Sequence, residues 1–344
     1  MDMLPIVILT IAIAFAFTFT NGFQDAASIA ATFIASRSAS PRRGMAFIAG
    51  LDFIGALLGG SAVALTISTL LLLPPDEELV LVVFSAVLSA SIWNLVAWYY
   101  GMPASSTHAI VGGLAGAGIA AAGLSSVNWG VDALLASPPK LEGMVLIIVF
   151  LFVSLAIGFG GGYLMRRSTA LLLRPAPRSA NRGIVSVNWV AAGVMAFYNG
   201  ANDGQKQMGI IALVLFAAGL SADLAVPLWA RIGCAVLLGL GSLIGGWRIM
   251  ATLGRRIFII RPVHSLDSQI SSGTALALST IAGAPVSSTQ VVISSILGVG
   301  AAQNPQKMRW TVGRQILISL LATIPSTMVL GGAISLIVTR ILGG

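Results

Sequence analysis

Long apolar runs, most holding one charge or none, alternate along this chain with short charged loops. Runs of 17 to 29 residues reach across ~30 Å of hydrocarbon at ~1.5 Å per residue. They lack the polar stripe of a soluble amphipathic helix and the ten-residue alternation of a barrel strand, so the pattern predicts an all-α polytopic membrane protein. Leu4–Ser36 would be about 50 Å long as one helix, and the Asn21-Gly22 step predicts a break into two half-helices. Met45–Leu73 is a second crossing. Val80–Tyr100 and Ala104–Leu124 flank Gly101-Met102-Pro103 and form a helix pair or re-entrant hairpin, and Leu141–Met165 follows. The same order then returns: Ile184–Leu220 with a break at Asn199-Gly200, Pro227–Met250, the pair Ser268–Ala282 and Val286–Ala302, and Val312–Val338. The expected organisation is a transmembrane repeat over 1–165, a basic linker over 166–182 and a second repeat over 183–344.

Composition agrees, with 57% hydrophobic and 9% charged residues. A net charge of +8 would suggest nucleic acid in a soluble protein. Here the basic residues lie in loops between apolar runs, where membrane orientation accounts for them and no nucleic-acid partner is expected. With the N-terminus outside, the loops Ser36–Gly44, Arg166–Arg182, Arg248–Asp267 and Gln303–Arg314 fall inside and hold 15 of the 19 Lys and Arg. The acidic loop Pro74–Glu78 falls outside, while its repeat partner near Gly254–Arg261 is basic and inside. Equivalent loops therefore face opposite sides, and the repeats are predicted to be inverted. Met1-Asp2-Met3 carries no positive n-region, so no cleaved signal peptide is read. The single Cys234 excludes an intrachain disulfide.

Two polar motifs interrupt the apolar pattern in each half. Asn21-Gly22-Phe23-Gln24-Asp25 is matched by Asn199-Gly200-Ala201-Asn202-Asp203, and Pro103-Ala104-Ser105-Ser106-Thr107 by Pro285-Val286-Ser287-Ser288-Thr289. Polar breaks at corresponding places in two repeats point to the binding site of a secondary transporter. A carboxylate inside an apolar segment needs water, a partner or a cation. Asn and Asp four residues apart share one helical face, and unwinding at Gly22 or Gly200 would free carbonyl oxygens. Carboxylate, amide oxygen and carbonyl are the ligands a hard cation takes. Asn21, Asp25, Asn199, Asn202 and Asp203 are thereby candidate cation ligands. Asp52 has Arg231 near its repeat position, and its role stays open.

The Pro-X-Ser-Ser-Thr turns suit a helix start, where free N–H groups carry partial positive charge. Hydroxyls of Ser105, Ser106, Thr107, Ser287, Ser288 and Thr289 beside them could surround a tetrahedral oxyanion. Gln24, His108, Lys206 and Gln290 are auxiliary candidates, His108 as a hydrogen-bonding wall residue rather than a metal ligand. Gly112, Gly113, Gly116, Gly118, Gly298 and Gly300 suit close helix packing. Two aspartates and an anion in one site need cations, which is a physical basis for symport.

At these motifs the chain resembles the inorganic phosphate transporter (PiT) family. Gly200-Ala201-Asn202-Asp203 matches its Gly-Ala-Asn-Asp signature, and Asn21–Asp25 resembles the bacterial first-half variant, with Gln24 where His is common. Pro103–His108 and Pro285–Gln290 resemble the family's Pro-X-Ser-Thr/Ser-Thr-His turns, Gln290 departing at the last place. The resemblance implies a multi-pass cell-membrane symporter of inverted repeats that takes up inorganic phosphate with sodium as co-transported ligand, commonly as a homodimer and with no other cofactor. A proton-coupled phosphate or sulfate permease is the alternative. An ion channel fits the anion-suited turns less well. An enzyme is not expected, since His108 and His264 lie in different segments and supply no nucleophile–base set.

Overall fold

The computed structural model describes residues 3–100, 104–177, 179–244, 250 and 259–342. Among these the chain is almost wholly helical: α1 (Leu4–Ala35), α2 (Pro41–Leu58), α3 (Ala62–Ser68), α4 (Glu77–Tyr99), α5 (Ser106–Ala122), α6 (Val131–Leu135), α7 (Gly143–Leu172), α8 (Ala180–Ala217), α9 (Leu228–Ile244), α10 (Pro262–Ile281), α11 (Ser288–Gln303) and α12 (Trp310–Leu342). Gly101-Met102-Pro103, Arg178, and Arg248, Arg255 and Arg256 of the third basic loop lie outside the described residues. By length and hydropathy α1, α4, α7, α8 and the Leu321–Ile341 part of α12 can each cross a membrane. The α2–α3 pair, bent by 69°, is apolar enough together for a broken span or a re-entrant loop. The protein is a multi-pass membrane protein.

The ends of the helices show the inversion. Ser38, just past α1, accepts from Asn188 Nδ2 at its Oγ (2.9 Å) and from Trp189 Nε1 at its carbonyl (3.1 Å), both near the start of α8. At the other end Met3 and Leu4 line one cleft with Ala217–Leu220, where α8 finishes. The two equivalent helices are therefore antiparallel. We call the side where α1 starts the near face and the opposite side the far face. The hairpin α4/α5 starts at the near face, where Asp76 and Glu77 line that same cleft. Its counterpart α10/α11 starts at the far face, where Arg166 pairs with Asp267 (3.2 Å) and Ser265 Oγ donates to Asn188 Oδ1 (3.4 Å). The second helix of each pair, α5 or α11, starts beside the motif carboxylates, Ser106 on Asp25 and Ser288 on Asp203.

The expected break at Asn21-Gly22 and Asn199-Gly200 does not occur, because α1 and α8 run straight through both. The glycines serve close approach instead. A Cβ on Gly22 would collide with Leu238 O of α9, and one on Gly200 with Asp52 O of α2. Their carbonyls stay in the helical ladder. The interruptions that do occur lie between α2 and α3 and at the hairpin turns, where α5 and α11 begin. The same contacts make Leu238, rather than Arg231, the packing counterpart of Asp52; Arg231 instead donates to Ser61 Oγ (2.6 Å). The linker is shorter than expected, since α7 continues to Leu172 and α8 starts at Ala180.

Packing is exchanged between the repeats: α2 lies on α8 and α9 on α1, while α5 lies on α12 and α11 on α7. Small residues permit this, as expected: Gly116 faces Met328 O and Gly298 faces Phe159 O with no room for a Cβ. Two apolar cores result. One, toward the near face, contains Phe17, Leu70, Val83, Leu114, Ile211 and Leu238. The other, toward the far face, contains Ile29, Phe33, Ile48, Met195, Leu276 and Ile296. The signature residues lie between them.

Candidate functional site

Serine at the first capping position starts both half-helices. Ser105 Oγ accepts from His108 N (3.2 Å) and Ser287 Oγ from Gln290 N (3.3 Å). Each cap fixes the backbone so that the next N–H groups, which have no intrahelical acceptor, point into the centre of the protein. The two starts abut: Gln290 Nε2 lies 3.4 Å from His108 Nδ1, and Thr107 Oγ1 donates to Val286 O (2.7 Å). His108 and Gln290 are thus the wall between two opposed helix N-termini.

The remaining hydroxyls converge on the carboxylates. Asp25 accepts from Ser106 Oγ at Oδ2 (3.2 Å) and from Thr289 Oγ1 at Oδ1 (2.7 Å), so one carboxylate ties both repeats together. Asp203 accepts from Ser288 Oγ (3.4 Å) and forms a short ion pair with Lys206. Lys206 also donates to Val286 O (2.9 Å). Asp203 and Lys206 have no side-chain exposure, and Asp25 is 2% exposed. Two carboxyl groups and one amine are thus buried together beside two helix N-termini.

Other candidates stand at varying removes from this centre. Asn199 Nδ2 donates to Asp52 Oδ1 (3.1 Å), and Ser242 Oγ donates to Asp52 Oδ2 (2.9 Å). Asp52 is therefore bonded to Asn199 and Ser242 rather than to the carboxylate pair. Asn202 turns away: its amide donates to Thr280 Oγ1 and Ala284 O (both 3.1 Å) and accepts from Val286 N (3.3 Å). It clamps the α10/α11 turn. Gln24, its counterpart, donates to Asn94 O of α4 (2.8 Å) and clamps the first hairpin likewise. Asn21 is fully buried with no partner for either amide atom among the described residues, and Asn199 Oδ1 also has none.

Two residues enter that the motifs do not name. Ser242 is hidden in an unremarkable small-residue stretch of α9 and gains meaning only through packing. Gln207 lies four residues after Asp203, and an isolated amide at that helical spacing is a signal the sequence does carry.

This arrangement sets two helix starts over two buried carboxyl groups and a lysine, and comparisons with known proteins name the family of the chain that carries it. The profile of the Phosphate transporter family matches residues 21–331. The chain belongs to that family. Among its relatives, a protein of Bacillus subtilis described as "Probable low-affinity inorganic phosphate transporter" is 36% identical over 335 residues, covering 96% of this chain and 97% of its own. One from Rhizobium meliloti with the same description is 34% identical over 324 residues, covering 94% and 93%. A solved structure, "The sodium-dependent phosphate transporter", superposes with a TM-score of 0.87, covering 98% of this chain and all of that one at 22% identity. At that identity it shows the shared fold. Membership of the phosphate transporter family makes the protein a transporter rather than an enzyme.

Proposed function

We propose that this phosphate transporter family member imports inorganic phosphate across the cell membrane by sodium symport, with its N-terminus outside. The observation that carries the reading is the meeting of two opposed half-helix N-termini over Asp25 and Asp203. Free N–H groups and the hydroxyls of Ser105–Thr107 and Ser287–Thr289 offer donors to a tetrahedral anion. Two aspartates and a phosphate of charge −1 to −2 would outweigh the one ammonium of Lys206 when ionised, so the anion binds together with cations. Asp25, Asp203, Asn21 and Asn199 are the sodium ligands; Asn202 holds the hairpin turn and acts on the site through it.

Coupling follows from the hydrogen bonds. Ser106, Ser288 and Thr289 donate to the carboxylates. A sodium ion taking those carboxylate oxygens releases the hydroxyl hydrogens to turn toward phosphate. Each ion thereby favours the other. Sodium suits the site better than a proton because the buried oxygens of Asn21 and Asn199 are neutral ligands that a proton relay does not need. Phosphate suits it better than sulfate because P–OH can donate to an acceptor that sulfate would leave unpaired. That mismatch is worth roughly 1–3 kcal/mol, about 5- to 150-fold in affinity. Phosphate binding to purified protein in sodium and in choline buffer, with sulfate as competitor, tests the reading. Binding should require sodium and resist sulfate. Sodium-independent binding would contradict the coupling, and strong sulfate competition the selectivity.

A further inference from the structure

Gln207 is 1% exposed in the second half of α8, and neither its Nε2 nor its Oε1 has a partner among the described residues. It follows Asp203 by four residues, so it lies on the carboxylate's face of the helix, about 6 Å nearer the near face. Asn21 precedes Asp25 by four residues. Because α1 and α8 run antiparallel, that step leads toward the same face. Asn21 and Gln207 therefore stand at one depth, on site-facing stripes of adjacent helices. Both are amides with unpartnered N–H and C=O groups among the described residues.

We propose that Gln207, with the amide N–H of Asn21, forms a phosphate-selecting subsite one helical turn to the near-face side of the carboxylate pair. This deepens the symport reading and rests on it. The choice of ligand follows from which atoms are unpaired. A bare cation would satisfy amide oxygens and leave every N–H without an acceptor. Sulfate would satisfy the N–H groups and leave Gln207 Oε1 without a donor. A protonated phosphate does both: its unprotonated oxygens accept from Asn21 Nδ2 and Gln207 Nε2, and its P–OH donates to Gln207 Oε1. The ~6 Å offset is about the width of one tetrahedral oxyanion, so the subsite holds phosphate immediately before it reaches Ser105–Thr107 and Ser287–Thr289.

A structural amide and a selecting amide give opposite results on substitution. Gln207→Met keeps the length of the side chain and removes both polar atoms, and Gln207→Glu keeps the shape while replacing the N–H donor with an anion. Each is measured in proteoliposomes for phosphate uptake and sulfate inhibition, with thermal unfolding as the folding control. For Gln207→Met the proposal expects unfolding at the wild-type temperature or above, a phosphate KM raised roughly 3- to 10-fold for the lost hydrogen bonds, and sulfate inhibition at least as strong as in wild type. Gln207→Glu should raise the phosphate KM further through repulsion. An unchanged phosphate KM in either folded variant overturns the subsite while leaving the symport reading intact. Wild-type protein that takes up no phosphate at all defeats both.

Discussion

Asp25 and Asp203 hold equivalent places in the two repeats yet keep different company. Asp25 is held by two hydroxyls, and Asp203 by a hydroxyl and Lys206. Asp25→Asn should therefore fold normally and lose sodium-dependent phosphate uptake. Asp203→Asn should also lose uptake, but at a cost of roughly 3–5 kcal/mol in stability, because it strands a buried ammonium. Adding Lys206→Met to Asp203→Asn should restore the melting temperature without restoring uptake. Thermal unfolding and proteoliposome uptake check all three; full stability in Asp203→Asn would contradict the ion pair. The carboxylates and triplets are legible in the sequence because charge in an apolar run is costly and the repetition removes coincidence. The roles of Gln24 and Asn202 are not, since a residue beside the site on a helix points about 100° away from it. Only the packed structure shows that Gln24 holds α4 and Asn202 the α10/α11 turn.

Helix identity and order are legible from hydropathy, but the position of the breaks is not. Asn-Gly reads as a turn signal from local chain chemistry. Inside the membrane the same glycine serves contact with a neighbouring backbone, and an unbroken helix keeps its polar groups satisfied. Replacing Gly22 or Gly200 by Ala should push α1 off α9, or α8 off α2, and cost roughly 1–3 kcal/mol. Gly50 supplies the contrast, because a Cβ there would meet no heavy atom of the described residues within 4 Å. Gly50→Ala should be neutral or stabilise by about 0.5–1 kcal/mol. Melting temperatures of the three purified variants decide the matter. Equal effects at all three would mean that the close approach is unimportant.

Across the whole molecule, charge and inversion agree. Acidic Asp76, Glu77, Glu78, Asp132, Glu142 and Asp223 gather at the near face, while Arg37, Arg42, Arg43, Arg166 and Arg261 gather at the far face. Single cysteines at Glu77 and Arg174 in a Cys234→Ala background should react oppositely with an impermeant thiol reagent on intact cells, Glu77 labelling and Arg174 not. The inversion is readable in the loop charges because orientation depends on composition alone. The exchange of helices between repeats is not, because contacts such as Gly22 with Leu238 join residues far apart in sequence. That exchange brings Thr289 of one repeat onto Asp25 of the other, the contact on which the proposed coupling of cation and anion rests. The most direct test is uptake of labelled phosphate into proteoliposomes under an inward sodium gradient, under equal sodium on both sides, and under a proton gradient in choline. The account predicts accumulation above equilibrium only with the sodium gradient. Accumulation driven by the proton gradient without sodium would contradict it.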